Sequence, residues 1–115
     1  MIAWYRKQAE IIFGKRAAYW AQIMQCQYTQ LKISSAKKRW GSCTSEGHIA
    51  FSWRLVQAQP AAIDYVIIHE LAHLRVMDHS PAFWEQVSAY CPDYKDRKKL
   101  LAQAADEMHR QGWDI

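Results

Sequence analysis

The segment His69-Glu70-Leu71-Ala72-His73 places two histidines four residues apart, with a glutamate directly after the first. In an α-helix, residues four apart differ by about 40° in direction, so both imidazoles point to one side, one turn apart. This spacing suits two nitrogen ligands of one zinc ion. Glu70, offset by about 100° from His69, flanks the ion and can take a proton from a bound water. The motif therefore predicts a helix with the chemistry of a metal-dependent hydrolase.

The helix that carries this motif is apolar on nearly all sides. From Pro60 to about Val76 the apolar residues are almost continuous, and proline is favoured in a first helical turn. A helix that is apolar all round is buried at the centre of a domain. Two imidazoles and a carboxylate at such a place cost free energy unless each has a partner. A metal ion is therefore favoured over the alternative of two core histidines that are hydrogen-bonded to the backbone.

A third ligand has to come from elsewhere in the chain, because a catalytic zinc ion usually has three protein ligands and one open position. His79 follows His73 by six residues and falls just beyond the predicted end of the helix. A reversing loop could bring it back over the metal. The alternatives that the sequence leaves open are His48, His109, Asp78 and Glu85.

The rest of the sequence predicts an α+β fold in a single domain, residues 1–115. Residues from about Ala3 to Cys26 predict a long helix. Its expected apolar face consists of Trp4, Ile11, Ile12, Tyr19, Ile23 and Cys26. Alternating residues at 31–34 and 49–54, with a short segment at 39–43 between them, predict an antiparallel meander of about three strands. Two C-terminal helices are predicted, from Ser80 to before Pro92 and from about Asp93 to Gln111, with Gly112 as the C′ glycine.

Charge and cysteine content restrict the compartment and the partners. The formal net charge is +4, and basic clusters at 37–39 and 95–99 indicate either solvated faces or a surface for anionic groups. Three cysteines without a C-x-x-C pair argue against a disulfide framework and against a cysteine-built zinc site, and they fit a reducing compartment. With no signal peptide and no apolar run of membrane length, the sequence predicts a cytoplasmic protein outside the membrane. It leaves the oligomeric state undetermined.

Several motifs in one order resemble the YgjP-like metallopeptidase domains, which belong to the zincin class and are related to the SprT-like and WLM proteins. The matching segments are Arg39-Trp40-Gly41-Ser42-Cys43, residues 49–55, residues 63–74, His79-Ser80 with Phe83-Trp84, and Pro92-Asp93-Tyr94. The resemblance implies a zincin-like α+β fold, with His69, His73 and His79 as zinc ligands and Glu70 as catalytic base. Ser52 stands where the family has asparagine. The N-terminal region that members carry is also missing from this sequence, which implies a catalytic core.

The sequence thus favours a zinc-dependent metallopeptidase that holds one Zn²⁺ per chain and acts on a peptide or protein. The alternative within hydrolases is a metal-dependent nucleoside triphosphate pyrophosphohydrolase. The alternative of another class is a nucleic-acid-binding module with a structural zinc. Glu70 distinguishes the hydrolases from the nucleic-acid-binding module, because a structural zinc site needs no general base and has four protein ligands.

Substrate contacts are predicted at the sheet and at three arginines. In zincins an edge strand beside the active-site helix holds extended peptide, and the candidates here are Arg39 to Cys43 and Ile49 to Trp53. The side chains expected to bind substrate anions or the transition-state oxyanion are Arg39, Arg54 and Arg75. Cys43 has no histidine beside it in its motif to activate the thiol, so it is interpreted as structural.

Overall fold

The computed structural model describes residues 2–37 and 39–110, the last two without their side chains. Within these ranges the α-helices are α1 Ile2–Met24, α2 Pro60–Ala72, α3 Pro81–Tyr90 and α4 Tyr94–Arg110. The strands are β1 Gln30–Ser34, β2 Gly41–Cys43 and β3 His48–Ser52, and a 3-10 helix spans Trp53–Gln57. The α+β class and the predicted order of helices and strands are confirmed. Gln111 and Gly112, predicted to end the last helix, lie outside the described residues. None of the described helices has the length and apolar character needed to cross a membrane.

Helix α2 lies at the centre of the fold, as its apolar sequence predicts. Pro60 occupies its first turn, and Ile67, Ile68 and Leu71 are completely buried. The helix ends at Ala72, four residues earlier than predicted. The next three residues continue as turns, because the N–H groups of Leu74, Arg75 and Val76 donate to the carbonyls of residues 71 and 72. This early ending sets the direction in which the chain leaves the motif.

The buried face of α1 differs from the predicted one. The face that packs into the core consists of Ala9, Phe13, Ala17, Ala21 and Met24. Trp4 and Tyr19, expected to be buried, are 60% and 50% exposed. From Ala9 to Ala21 this face recurs every four residues, and its three alanines let the backbone of α1 approach the core closely. Phe13 fills the remaining space against Phe51, with ring centroids 5.5 Å apart.

The sheet is mixed, so the predicted antiparallel meander is wrong at one strand pair. The strand order is β1-β3-β2, with β2 antiparallel and β1 parallel to β3. To reach β2 the chain crosses to the far side of β3, and residues 35–37 and 39–40 belong to this crossing loop. Two side chains hold this crossing, because Ser52 Oγ donates to Ala36 O at 2.8 Å and Arg54 Nη1 donates to Ser35 O at 2.7 Å. An alternating pattern predicts which side chains face the core, and it carries no information on strand direction.

Candidate metal centre

Helix α2 and its first following residue place the two motif histidines side by side. His73 is the C-cap of α2, and its N–H still bonds to the carbonyls of His69 and Glu70, so the helical spacing holds through the motif. The ring centroids of His69 and His73 are 4.9 Å apart. The buried apolar residues of α2 fix the helix in the core, which leaves these two rings little freedom.

His79 reaches the same point from the loop after α2. Its ring centroid lies 5.4 Å from that of His69 and 4.8 Å from that of His73. The loop is shaped by Asp78, whose Oδ1 accepts from the N–H of Ser80 at 3.3 Å just before α3 begins. The reversing loop expected from the sequence is therefore present.

The ligand atoms of these three histidines lie within 4.8 Å of one another. No other group of three or more His, Cys, Asp or Glu side chains that could hold a metal occurs among the residues the structure describes. Of the alternative third ligands, His48 instead lies 4.0 Å from Glu46, and the carboxylate of Asp78 is engaged by Ser80. Glu85 is not part of the group, and the side chain of His109 lies outside the described residues.

His73 is oriented for coordination through one defined nitrogen. Its Nδ1 lies 3.0 Å from the carbonyl oxygen of Val76, and because a carbonyl can only accept, Nδ1 carries the proton. The lone pair is then on Nε2, and such a second hydrogen bond is typical of metal-bound histidine. Burial lowers the pKa of His73, against an opposing effect of the Val76 carbonyl. The neutral, ligating form is therefore favoured.

Glu70 is buried beside the histidines, where β2 and α2 come into contact. Its Oε2 lies 3.3 Å from His69 Nδ1. A Cβ atom added at Gly41 would stand 3.0 Å from Glu70 Cγ and 3.1 Å from the carbonyl oxygen of Ala50. The glycine therefore provides the space in which the Glu70 side chain lies.

Aromatic side chains of α3 support the histidines from outside. Phe83 stacks on His73 at a centroid distance of 4.3 Å and an angle of 22°. Trp84 lies 5.9 Å from the His69 ring and 6.1 Å from the His79 ring, and it stacks on Tyr94 at the start of α4. These rings limit the positions available to the imidazoles.

A cavity of about 260 Å³ opens over the three histidines and Glu70. Its sheet side is formed by Arg39 and by β2, whose far edge is not paired with any strand in the described part of the chain. Of the two predicted peptide-binding strands, β3 is paired on both sides, and β2 alone can take a further strand at this cavity. Burial raises the pKa of Cys43, which also lines the cavity, to about 11, so its thiol is protonated near neutral pH and is not a ready nucleophile.

The predicted arginines divide into one at the cavity and two in the scaffold. Arg39 is exposed and lines the cavity. Arg54 is buried, bonds to the crossing loop, and stacks over Trp53 at 4.4 Å. Arg75 donates from Nη2 to the carbonyls of Met24 and Gln25 at the end of α1, at 2.5 and 3.0 Å. Backbone carbonyls bind the guanidinium groups of Arg54 and Arg75, and neither residue lines the cavity over the histidines, so their contact with substrate stays a prediction.

Sequence reasoning missed Tyr65, which lies one turn before His69 on α2. The two ring centroids are 5.9 Å apart, and Tyr65 lines a smaller cavity together with His69 and Glu70. Burial raises the pKa of Tyr65 to about 12, so its hydroxyl stays protonated and can donate a hydrogen bond. The signal for it was present, because residues four apart share a helix face.

The donor set fits a zinc-class ion. Imidazole is a preferred zinc ligand, and three of them leave the fourth tetrahedral position open. Nitrogens around a tetrahedral zinc ion lie about 3.4 Å apart for Zn–N bonds of about 2.0–2.1 Å. The ligand nitrogens of the three histidines, which here lie within 4.8 Å of one another, therefore have to move closer together when zinc binds. His79 is exposed on its loop, where its side chain can rotate to do this.

Comparison with known proteins identifies a family and a fold. A family described as "YgjP-like, metallopeptidase domain" matches residues 1–104. The crystal structure of the metallopeptidase zymogen of Pyrococcus abyssi abylysin is similar to this chain, with a TM-score of 0.70 and 21% sequence identity. The similarity covers 84% of this chain and 94% of that one, and at this identity it supports the fold alone. No curated protein matches the chain.

Proposed function

The chain belongs to the YgjP-like metallopeptidase domains, and from this membership and the site geometry we propose that it is a zinc-dependent peptidase. In this proposal His69, His73 and His79 hold one zinc ion per chain and Glu70 is the general base. The observation that carries it is the convergence of the three imidazoles within 4.8 Å, directly beside a buried carboxylate.

The residues of the site divide the chemistry among them. A bound zinc ion would polarise a carbonyl oxygen and lower the pKa of a coordinated water to about 7. Glu70 takes a proton at its carboxylate and delivers it to the leaving amine. Phe83 stacks on His73 and Trp84 lies beside His69, which shields these two imidazoles in part from solvent and strengthens the electrostatic interactions around them. The substrate is held by Arg39 and by the open edge of β2, which both line the cavity.

The open edge of β2 favours an extended peptide as substrate. A strand edge offers alternating N–H and C=O groups that a peptide backbone can pair with, whatever its side chains. Because β2 has only three residues, the paired segment is short. Neither alternative gains support from the comparisons: nothing points to a nucleotide, and a set of three histidines lacks the fourth protein ligand that a structural zinc would want.

Metal analysis of variants tests the ligand set. We expect one zinc per chain in the parent protein and severe loss of zinc in His69→Ala, His73→Ala and His79→Ala. His48→Ala is the matched control, because His48 lies on β3 outside the group. Loss of zinc in His48→Ala together with full occupancy in His79→Ala would refute the third ligand.

Glu70→Gln separates binding from catalysis. It should keep the zinc and lower kcat on a mixture of short peptides by about 10²- to 10⁴-fold, the usual contribution of a general base. Cleavage is followed by mass spectrometry. A Glu70→Gln protein that loses its zinc would make Glu70 a ligand and overturn its role as base.

A further inference from the structure

A second cavity, of about 160 Å³, adjoins the metal centre and shares Gly41, His69 and Glu70 with the larger cavity. We call it the apolar subsite. Its remaining wall is formed by Trp40, Tyr65, Val66 and Leu101. A ligand held at the metal centre can therefore extend a group into the apolar subsite without leaving the protein surface.

We propose that the apolar subsite receives one uncharged, apolar side chain of the bound peptide, next to the bond that is cleaved. This inference rests on the proposed peptidase function and names the class of residue that the site selects. Trp40 and Gly41 belong to both the subsite and the segment that leads into β2, so a peptide paired along β2 passes its entrance.

The volume of the apolar subsite matches a single side chain. Pockets for whole small-molecule ligands span about 300–1,000 Å³. An apolar cavity of about 150 Å³ holds one benzene molecule. A cavity of about 160 Å³ therefore has room for the side chain of leucine, methionine or phenylalanine.

The lining favours an uncharged group. Apart from the shared residues, the wall consists of two aromatic and two aliphatic side chains. A charged group would lose its hydration there without a full set of partners. Glu70 would repel an acidic side chain, and a basic side chain would pair with Glu70 and block the group that the proposed reaction needs free.

The walls of the apolar subsite are already in position. Tyr65 and Val66 are each 4% exposed and belong to the central helix α2. Leu101 is on α4, which is held against α3 by the stacking of Tyr94 on Trp84 at 5.1 Å and 21°. A preformed pocket loses little entropy on binding, so the fit of the side chain translates into affinity.

Binding of peptide hydroxamates to the zinc-loaded protein tests the proposal without relying on turnover. The compounds differ only in the side chain beside the hydroxamate, which is that of glycine, leucine, phenylalanine or glutamate. By calorimetry, we expect the leucine and phenylalanine compounds to bind at least about tenfold more tightly than the glycine and glutamate compounds.

Two adjacent leucines give a matched pair of variants. Leu101→Trp fills the apolar subsite and should reduce the ratio of leucine to glycine affinity to about one. Leu100→Trp makes the same change on the preceding residue. Leu100 lines a separate groove with Gln57 and Met108, so this variant should leave the affinity ratio unchanged. Leu101→Ala enlarges the subsite and should shift the preference from leucine towards phenylalanine.

Equal affinities for the four compounds in the parent protein would overturn the subsite, and so would equal effects of Leu101→Trp and Leu100→Trp. The outcomes that would contradict the peptidase proposal are different from those that would contradict the subsite. The subsite stands if the binding preference is present and no peptide is cleaved. Peptide cleavage that ignores the flanking side chain, combined with flat binding, refutes the subsite and leaves the peptidase intact.

Discussion

At the scale of single residues, Gly41 sets the position of the proposed base. An added Cβ would lie 3.0 Å from Glu70 Cγ and 3.1 Å from the carbonyl oxygen of Ala50, closer than ordinary van der Waals contact. Either the Glu70 side chain or the strand therefore has to move. We expect Gly41→Ala to lower kcat several-fold, less than the loss of about 10²-fold that a displacement of about 1 Å costs, because contacts of 3.0–3.2 Å are relieved by smaller shifts. Zinc affinity should stay close to the parent value. Full kcat in this variant would contradict the positioning role.

Gly14 provides the matched control for that substitution. It lies within α1, and a Cβ added there would meet nothing within 4 Å. Gly14→Ala should raise the free energy of unfolding by about 0.5–1 kcal/mol through helix propensity and leave kcat unchanged. Urea denaturation measures the first and peptide cleavage the second.

The lowered pKa of His73 predicts how the metal-free protein responds to pH. The unfolded chain binds a proton at His73 near pH 6.5, and the folded chain does so only at lower pH. Because the unfolded state then binds more protons, the free energy of unfolding falls as pH drops through about 6.5 towards the folded pKa. Denaturation in chelator between pH 7.5 and 5 should show this loss, and His73→Asn should reduce it. An identical slope in both proteins would contradict it.

At the scale of secondary-structure elements, the helices could be predicted more fully than the sheet. The apolar run around the motif and the proline at position 60 determine where α2 lies and begins. The direction of β1 depends on hydrogen bonds from Ser52 and Arg54 to carbonyls of the crossing loop, more than 15 residues away. Backbone acceptors of this kind have no signature in the sequence, so neither the parallel pair nor the structural role of Arg54 could be predicted.

The prediction of the buried face of α1 was wrong for a different reason. Large apolar residues carry most of the burial energy and dominate a periodicity argument. Here the close approach of α1 to the core selects alanines, and Trp4 and Tyr19 stay exposed. The grouping of the three histidines was easier to predict, because the spacing of His69 and His73 follows from helix geometry and the loop to His79 is short.

Arg39 and Arg75 should separate substrate binding from helix anchoring. Arg75→Ala removes two bonds to the last carbonyls of α1 and should lower the free energy of unfolding by about 1–2 kcal/mol, with kcat/KM unchanged. Arg39→Ala should raise KM about tenfold, the value of one charge-assisted hydrogen bond, with stability unchanged. Thermal melts measure the stability of both variants, and peptide kinetics measure their KM. A raised KM in Arg75→Ala together with a loss of stability in Arg39→Ala would contradict these roles.

At the scale of the whole molecule, we expect the core to fold without the proposed metal. The rings of Phe13 and Phe51 pack against each other, and both are fully buried in one core cluster with Ile67 and Leu71 of α2. We therefore expect chelation to preserve the far-ultraviolet circular dichroism of the protein. Zinc at about 100 times its Kd should add about 2.7 kcal/mol and raise Tm by about 10 °C. His79→Ala should show no zinc-dependent rise, and an unfolded spectrum in chelator would contradict an independent core.

The three imidazoles come from the eleven residues between His69 and His79, whereas Gly41, which makes room for Glu70, is 29 residues earlier in the chain. Contacts that are close in sequence form with little loss of chain entropy, and distant ones form later. On the proposed function, the three histidines can therefore bind an ion as soon as α2 and its following loop have formed. The proposed base would take its place only when β2 has packed against α2, so zinc binding would precede peptidase activity during folding.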